Sequence, residues 1–328
     1  MMVAHQDALW SCLLALAEQI ARRVEEPPDS PEISYCTLQF GETTAIAVNK
    51  ELPPSPGSAL IMVVLNAKAT RVSSTYPVFR VLDDLSCHCP LADTLDRDTI
   101  DFLQLYLPYC FLPVFSQKLQ RTIAIAHFAQ TLDGKIAACT GNSKWIGNPE
   151  NLIHAHRMRA LCDGIIVGAN TVDTDHPRLT VRHVEGKNPR RIVVCSSERD
   201  LTSLFNSHTD PVWVIGTADE PPTEQCQYIK LHKQTNGKIS PQKMLEKLYQ
   251  KGIHSVYVEG GPHTTSHFLA DGALDVVQLH ISPLILGSGM PGFALPQVDN
   301  ISQAVHFESF AFHPIGNTYM FVGAPKAG

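Results

Sequence analysis

A short run of the sequence, Glu-Gly-Gly-Pro-His-Thr-Thr at 259–265, combines residue types that bind phosphate. It directly follows the apolar run Val-Tyr-Val at 256–258. Two glycines let the backbone approach a ligand closely, and the unpaired N–H groups of a helix that starts here would face an anion. The hydroxyls of Thr264 and Thr265 are further donors for phosphate oxygens. The run predicts a pyrophosphate-binding turn, and a strand-to-helix turn without a ligand is the alternative.

A second polar run, at 168–182, also follows an apolar stretch. Thr171 and Asp175 are four residues apart, so they would share one face of a helical turn. The alternative is an Asx-type turn that Asp175 caps before Pro177. Basic residues also concentrate in one third of this otherwise acidic chain, namely Lys135, Lys144, Arg157, Arg159, Arg178 and Arg182. Guanidinium groups bind phosphate bidentately, so the basic residues predict an anionic ligand, with Arg157 assigned instead to a solvated helix face.

A third cluster consists of Thr-Leu-Asp-Gly-Lys at 131–135 and Thr-Gly-Asn-Ser-Lys-Trp-Ile at 140–146. Asp133-Gly134 is a strong turn signal, and Lys135 follows it directly. Trp145 could belong to the core or could cover a flat ring of a ligand. The spacing of the apolar residues does not separate these two interpretations.

The elements that must position these clusters alternate along the chain beyond Arg121. Strands are predicted at 122–128, 164–168, 191–195, 212–215, 255–259 and 276–281, with helices at 149–161, 240–251 and 264–270. Asn148 before Pro149, and Ser240 before Pro241, are helix-start signals. Short apolar strands alternating with helices indicate an α/β sheet that is covered on both faces, whose ligands bind at the carboxyl ends of the strands.

The first part of the chain has a different character. A helix is predicted over 1–23, hairpin-like strands over 35–48 and 59–65, and a further helix over 99–106. We therefore predict two domains, a small α+β domain at 1–117 whose chemistry the sequence does not reveal, and an α/β domain at 118–328.

Composition limits the classes of function. The 328 residues are 44% hydrophobic and 18% charged, which is typical of a folded protein, and the net charge of −6 argues against a partner nucleic acid or anionic membrane. The nine cysteines form no pair of Cys-x-x-Cys motifs, and neither Cys-His-Cys at 87–89 nor His-Ala-His at 154–156 suits a tetrahedral metal site. No metal site is predicted. Without a signal peptide or a membrane-spanning run, we expect a cytoplasmic protein with reduced cysteines.

Taken together and in order, the motifs resemble the reductase domain of the riboflavin-biosynthesis deaminase/reductase family. They are Leu-Asp-Gly-Lys at 132–135, Ser-Lys-Trp-Ile at 143–146, Arg-Ala-Leu at 159–161, Val-Gly at 167–168, Thr171-Val172 with Asp175, Leu-Thr-Val-Arg at 179–182, Glu-Gly-Gly-Pro at 259–262 and Ile-Leu-Gly at 285–287. The resemblance spans about 121–323. It implies a dihydrofolate-reductase-like fold with a mixed, mostly parallel sheet flanked by helices, and a homodimer.

The resemblance also implies roles for individual residues. The positions that match NADP contacts are Trp145, Thr171, Asp175, Ser196, Gly260, Gly261, Pro262, Thr264 and Thr265, with Arg199 placed to meet a 2′-phosphate. The positions that match substrate contacts are Ser143, Arg159, Leu179, Arg182 and Glu259.

The implied reaction is the NADPH-dependent reduction of 5-amino-6-(5-phosphoribosylamino)uracil, or of a related ribosylaminopyrimidine, with hydride delivered to C1′ of the ribose. The protein would align the nicotinamide with C1′, help the sugar ring to open and supply a proton. Lys135 and Glu259 are the candidates for this catalytic work.

Departures from the family pattern keep other interpretations open. The His-x-Glu and Pro-Cys-x-x-Cys zinc motifs of the family's deaminase domain are missing from 1–117, so deaminase activity is not predicted. His176 and Cys195 also differ from the residues common in the family. The alternatives are the same fold acting on another heterocycle, such as a pterin, and a non-catalytic nucleotide-binding or interaction protein.

Overall fold

The computed structural model describes residues 2–27, 32–41, 45–50, 58–65, 77–89, 95–195, 204, 211–235 and 237–326. The chain divides into two compact units, Met1–Gln117 and Lys118–Gly328. Within the described ranges, every helix is too short or too polar to cross a membrane.

The N-terminal unit contains a five-stranded sheet and helices. Its elements are α1 (Met2–Val24), β1 (Tyr35–Gly41), β2 (Ala45–Val48), β3 (Ser58–Leu65), β4 (Val78–Val81), β5 (Cys87–His88), α2 (Arg97–Tyr106), a 3-10 helix (Leu107–Phe111) and α3 (Leu112–Leu119), at whose end the second unit begins. The strand order is β2-β1-β3-β4-β5, and only β3 and β4 pair in parallel. The hairpin expected at 35–48 and the helix expected at 99–106 are confirmed.

The C-terminal unit is built on a nine-stranded sheet in the order β11-β10-β9-β8-β12-β6-β13-β16-β15. The strands of this unit are β6 (Ile123–Thr131), β7 (Lys135–Ala138), β8 (Gly164–Gly168), β9 (Arg190–Cys195), β10 (Val212–Gly216), β11 (Cys226–Lys230), β12 (Ser255–Val258), β13 (Val276–Ser282), β14 (Gly289–Pro291), β15 (Phe307–Ile315) and β16 (Thr318–Pro325). β7 and β14 form a separate antiparallel pair.

The large sheet is mostly parallel, as predicted. β16 pairs antiparallel with β13 and with β15, and the other strand pairs are parallel. The carboxyl ends of β6, β8 and β12, which are neighbours, therefore lie at one edge of the sheet. This edge is where the three polar clusters of the sequence begin.

Helices cover both faces of the sheet. They are α4 (Pro149–Leu161), α5 (Ala169–Asp175), α6 (Pro241–Tyr249) and α7 (Pro262–Ala270), with a 3-10 turn at Ile301–Gln303. Along β8, Ile165 and Val167 pack into one hydrophobic cluster and Ile166 into another, which is the alternation of a strand buried on both sides.

The predicted start signals of two helices are confirmed. Asn148 accepts a hydrogen bond from the backbone N–H of Asn151 at 2.7 Å, and Pro149 occupies the first helical position. Ser240 caps α6 in the same way. These signals involve only neighbouring residues, and the sequence alone therefore predicts where both helices begin.

The assignment of Arg157 to a solvated helix face is wrong. It is only 8% exposed, because residues 154–158 of α4 are buried all round the helix and not on one face alone. The periodicity of α4 is weak, since buried positions include both polar and apolar residues, and so the sequence did not identify the buried face.

Three buried histidines of the C-terminal unit form hydrogen bonds, two between α4 and the sheet and one between the strands β13 and β16. His127 pairs with Asn151 at 3.0 Å, His154 with Gln278 at 2.9 Å, and His280 with the Thr318 hydroxyl at 2.7 Å, each through Nε2. Burial lowers the pKa of each of these histidines, that of His280 to about 4. The folded protein therefore holds these rings neutral.

We expect the free energy of unfolding to fall as the pH drops from about 6.5 towards 4. The unfolded chain binds protons on these histidines near pH 6.5 while the folded state resists protonation, so each ring costs up to about 1.4 kcal/mol per pH unit in this window. Urea unfolding at several pH values measures the slope. His280→Gln should flatten it, whereas the exposed His306→Gln should leave it unchanged. Equal slopes for both variants would contradict this account.

Candidate active site

The turn between β12 and α7 is interlocked with the turn between β8 and α5. A Cβ atom added to Gly260 would lie 2.5 Å from Cβ of Thr264, and one added to Gly168 would lie 2.6 Å from its hydroxyl. The side chain of Thr264 thus fills the space beside both glycines. The backbone N–H of Gly261 also donates to the Thr171 hydroxyl, at 3.4 Å. Two of the predicted cofactor-binding segments are therefore brought together.

The other hydroxyl of the glycine turn is directed inward. Thr265 is fully buried, and its hydroxyl donates to the carbonyl of Gly260 at 3.3 Å. Pro262 has no N–H group, and the N–H groups of Thr264 and Thr265 donate to the carbonyl of Gly261, at 3.0 and 3.2 Å. The Thr264 hydroxyl and the positive end of the α7 dipole are therefore what this turn could offer to an anion.

Glu259, the residue that follows β12, forms a two-armed ion pair with Arg159 of α4. Nε and Nη2 of Arg159 donate to the two carboxylate oxygens at 2.7 and 2.6 Å. The side chains are only 11% and 17% exposed for Arg159 and Glu259, respectively. A charge pair that is this well shielded from water is strong and fixed in direction, and it lies at the carboxyl edge of the sheet.

The segment that follows Leu179 adds positive charge to this pair. Nη1 of Arg159 donates to the carbonyl of Thr180 at 3.0 Å, and Nη1 of Arg182 donates to the Thr180 hydroxyl at 2.6 Å. Burial, followed by the positive charges of the nearby Arg159 and Arg178, lowers the pKa of Arg182, so three cations lie near one another. Such a cluster attracts a dianionic ligand such as a phosphate monoester.

The side chain of Leu179 lies in the hydrophobic core and not among the arginines. Its side chain is 2% exposed and packs with Val167 and Val193, while its backbone has a positive φ of 56°. Any contact of Leu179 with a substrate would have to come from its backbone.

The turn that carries Lys135 is held by Asp133. The Thr131 hydroxyl donates to Asp133 at 2.6 Å and accepts the N–H of Lys135 at 2.9 Å. Asp133 also accepts the backbone N–H groups of Leu286 and Gly287, at 3.1 and 2.7 Å. The Thr131 hydroxyl and these N–H groups lower the pKa of Asp133 to about 2, so its carboxylate stays ionised as an anchor for the turn.

Trp145 is not part of the core. Its side chain is 88% exposed and its φ is +73°, and Ser143 beside it is exposed as well. The indole therefore offers a flat face to solvent. Asp175 is exposed at the end of α5, on the same helix as Thr171. Ser196 and Arg199 lie outside the described residues.

Sequence reasoning missed several residues that hold the site in shape. Thr180 links the two arginines, Asp133 anchors the lysine turn, and Gly168 makes room for Thr264. Thr180 stands inside the Leu-Thr-Val-Arg motif, which was a usable signal. The contacts of Asp133 and Gly168 join segments that are far apart in the chain, and no local pattern shows them.

No group of three His, Cys, Asp or Glu residues in the described part of the chain could hold a metal ion. His154 and His156 illustrate the reason, because they contact different segments: Nε2 of His154 meets Gln278, and Nδ1 of His156 meets the backbone of Arg182.

Comparison with known proteins gives consistent matches for the C-terminal unit. The model of the RibD C-terminal domain family matches residues 122–321. The 2,5-diamino-6-ribosylamino-4(3H)-pyrimidinone 5′-phosphate reductase of Methanothermobacter thermautotrophicus is 33% identical over 206 residues, which are 60% of this chain and 94% of that protein. The riboflavin biosynthesis reductase Rib7 of Saccharomyces cerevisiae has a similar structure, with a TM-score of 0.52 and 22% identity over 63% of this chain and 91% of that one.

The fold likeness extends to the N-terminal unit. The structure of RibD from Acinetobacter baumannii, at 16% identity and a TM-score of 0.61, covers 98% of this chain and 99% of its own. Because nearly the whole chain is covered, the five-stranded sheet of the N-terminal unit belongs to the shared fold.

Proposed function

Because this chain belongs to the RibD C-terminal domain family, we propose that it reduces a ribosylaminopyrimidine 5′-phosphate in riboflavin biosynthesis with NADPH as the electron donor. The observation that carries the proposal is the Glu259–Arg159 pair beside Arg182, which stands directly before the interlocked glycine turn. One edge of the sheet thus offers a phosphate site and a cofactor turn side by side. The names of the homologues favour this substrate class over a pterin.

The residues at the glycine turn fit a dinucleotide. The pyrophosphate would meet Gly260, Gly261, Pro262 and Thr264 at the start of α7, where the helix dipole favours negative charge, with Thr265 supporting the turn from inside. Thr171 and Asp175 of α5 would bind the adjoining ribose, and Trp145 would cover the nicotinamide end. Ser196 and Arg199 stay predictions for the adenosine end. When bound, NADPH supplies the hydride.

The substrate would lie against the arginines. Arg159 and Arg182 would bind its phosphate or sugar hydroxyls, with Ser143 and the backbone of Leu179 alongside. Glu259 would hold a sugar hydroxyl and carry a proton during ring opening, and Lys135 would donate a proton to the ring oxygen. Holding C1′ at a fixed distance from the donor supplies much of the rate.

The test is a pair of measurements on the purified full chain. Fluorescence titration should show tighter binding of NADPH than of NADH, and NADPH oxidation should require 5-amino-6-(5-phosphoribosylamino)uracil or its 2,5-diaminopyrimidinone counterpart. Comparison of the two compounds identifies the preferred substrate. Binding of neither dinucleotide would refute the proposal and favour a non-catalytic role.

We also propose that the protein acts as a homodimer in the cytoplasm. β15 is an edge strand of the large sheet, and Phe310, Phe312 and Tyr319 on the β15–β16 hairpin are 62%, 54% and 59% exposed. The hairpin borders an apolar cavity of about 400 Å³ that Leu132 and Pro283 also line. An open strand edge with exposed aromatic side chains suits pairing with a second copy.

Phe312→Glu is therefore expected to convert the dimer to a monomer, because the interface would have to bury an unpaired carboxylate. Sedimentation or light scattering measures the mass. Lys247→Glu, on the exposed face of α6, serves as the control and should stay dimeric. If the wild-type protein were a monomer at micromolar concentration, the proposed homodimer would be wrong.

The N-terminal unit does not fit a zinc-dependent deaminase. His5 and His88 are the histidines of 1–117, and neither begins His-x-Glu, while no Pro-Cys pair occurs in this range, since Tyr109 separates Pro108 from Cys110. Cys110 is also fully buried. We propose that the unit keeps the fold without the metal, and metal analysis should find zinc far below one ion per chain.

A further inference from the structure

His156 links helix α4 to the backbone of Arg182. It stands three residues before Arg159 on the same side of the helix, and its side chain is fully buried. Nδ1 of the imidazole accepts a hydrogen bond from the N–H of Arg182, with an N···N distance of 2.8 Å. One helix thereby holds both arginines of the phosphate site, Arg159 by its own side chain and Arg182 through this bond.

The segment 179–182 is fixed at successive points. The Leu179 side chain is anchored in the core, the Thr180 carbonyl accepts from Arg159, and the Arg182 N–H donates to His156. With the backbone held at both 180 and 182, the short bond from Nη1 of Arg182 to the Thr180 hydroxyl sets the direction of the guanidinium. The hydrogen bond to His156 is the last of these contacts before the exposed residues 185–188.

The hydrogen bond defines the chemical state of the ring. Because Nδ1 accepts, His156 is neutral and carries its proton on Nε2. Burial, followed by the positive charge of Arg159 and contact with His183, lowers the pKa of His156 to about 4, which maintains this state. Among the described residues, Nε2 has no hydrogen-bond partner. An apolar side chain would suit this buried position better, and so the value of the histidine lies in its Nδ1 acceptor.

We propose that His156 is a positioning residue, whose neutral imidazole holds the backbone of Arg182 and so aims its guanidinium at the 5′-phosphate of the substrate. The inference rests on the proposed function. Without the acceptor, the chain at 182–183 would gain freedom, although the Val181 N–H still donates to Asn188 at 2.8 Å, and Arg182 would spend less time in its binding geometry. Binding of the phosphate would weaken, and the hydride step would not change.

The test compares replacements that differ in where they offer an acceptor. Asn places its side-chain oxygen near the position of Nδ1, Gln places its amide near that of Nε2, and Leu offers no polar atom. We expect His156→Gln and His156→Leu to raise KM for the phosphorylated substrate by about tenfold, with kcat within about twofold. His156→Asn should stay within about threefold of wild type. KM for the dephosphorylated nucleoside should not change in any variant.

Two controls separate positioning from general damage. In the Arg182→Met background, His156→Gln should have no further effect on KM, because the side chain that it positions is gone. If His156→Leu does not fold, the comparison of Asn with Gln decides the matter. An equal rise in KM for phosphorylated and dephosphorylated substrates, or equal values for Asn and Gln, would overturn the proposal.

Calorimetry with ribose 5-phosphate provides a readout that does not depend on turnover. The Gln variant should bind this probe about tenfold more weakly than wild type, and the Asn variant nearly as well as wild type. If wild type binds the probe but does not oxidise NADPH with either pyrimidine, the proposed reaction fails while the positioning role survives. If wild type does not bind the probe, the positioning role fails as well.

Discussion

Glu259→Gln is expected to lower kcat by about 10²-fold to 10³-fold while leaving the Kd for NADPH unchanged. The substitution keeps the shape of the side chain and one acceptor for Arg159, but it removes the charge that orients this part-buried guanidinium and the base that would move a proton. General acid–base groups typically contribute factors of this size. Stopped-flow or steady-state oxidation of NADPH measures kcat, and fluorescence titration measures the Kd.

Matched variants make the expectation specific. Glu150→Gln makes the same change at an exposed glutamate in the first turn of α4 and should leave kcat within about twofold. Lys135→Met should lower kcat as strongly as Glu259→Gln, whereas Lys251→Met, at an exposed lysine after α6, should not. If Glu259→Gln and Lys135→Met both kept near-normal turnover with unchanged binding, the catalytic roles of these residues would be wrong.

Gly260→Ala and Gly261→Ala are expected to have different effects, although the residues are adjacent: the first should lower both stability and NADPH affinity, and the second only the affinity. A methyl group on Gly260 would meet Cβ and Cγ2 of Thr264 at 2.5 and 2.7 Å, so the first turn of α7 must shift. Overpacking of this kind costs about 1–3 kcal/mol. Both Tm and NADPH affinity should fall, the affinity by at least about tenfold.

A methyl group on Gly261 would meet no protein atom nearer than the Thr171 hydroxyl at 3.7 Å, which is an ordinary contact. Gly261→Ala should therefore keep a normal Tm. It should still weaken NADPH binding, because the methyl group would occupy the space through which a pyrophosphate approaches the start of α7. Normal affinity in this variant would place the pyrophosphate elsewhere.

Gly168→Ala provides a further check on the interlocked turns. Its methyl group would lie 2.6 Å from the Thr264 hydroxyl, and so the single variant should be destabilised. Thr264→Ala removes that hydroxyl, and the double variant should recover Tm by thermal denaturation. Additive losses in the double variant would show that the contact between the two turns is not the cause.

Much of the C-terminal unit could be predicted because its signals are local. The start of α4 depends on Asn148 and Pro149, and the glycine turn depends on residues next to one another in the chain. The parallel strands read as short apolar runs because both of their faces are buried. The order of the motifs carried the family resemblance, which the match to the family model confirms.

What could not be predicted depends on contacts between distant segments. The β15–β16 hairpin was missed, since five of the nine residues of β15 are exposed and the residues of β13 that pair with β16 are about forty positions away along the chain. The pairing of β7 with β14 joins 135–138 to 289–291, and no pattern within either segment shows it. Arg157 was assigned to the wrong environment because its burial follows from how α4 packs.

The sequence by itself determined the fold class and identified the segments whose polar residues the structure gathers at the carboxyl edge of the sheet. It did so because backbone caps, turn residues and strand burial are set by neighbours along the chain. Only the tertiary structure decided that Glu259 pairs with Arg159, that Thr264 fills the space beside two glycines, and that His156 accepts from Arg182. These contacts form when segments that are distant in the chain pack together, and they fix the orientation of the polar side chains at the site.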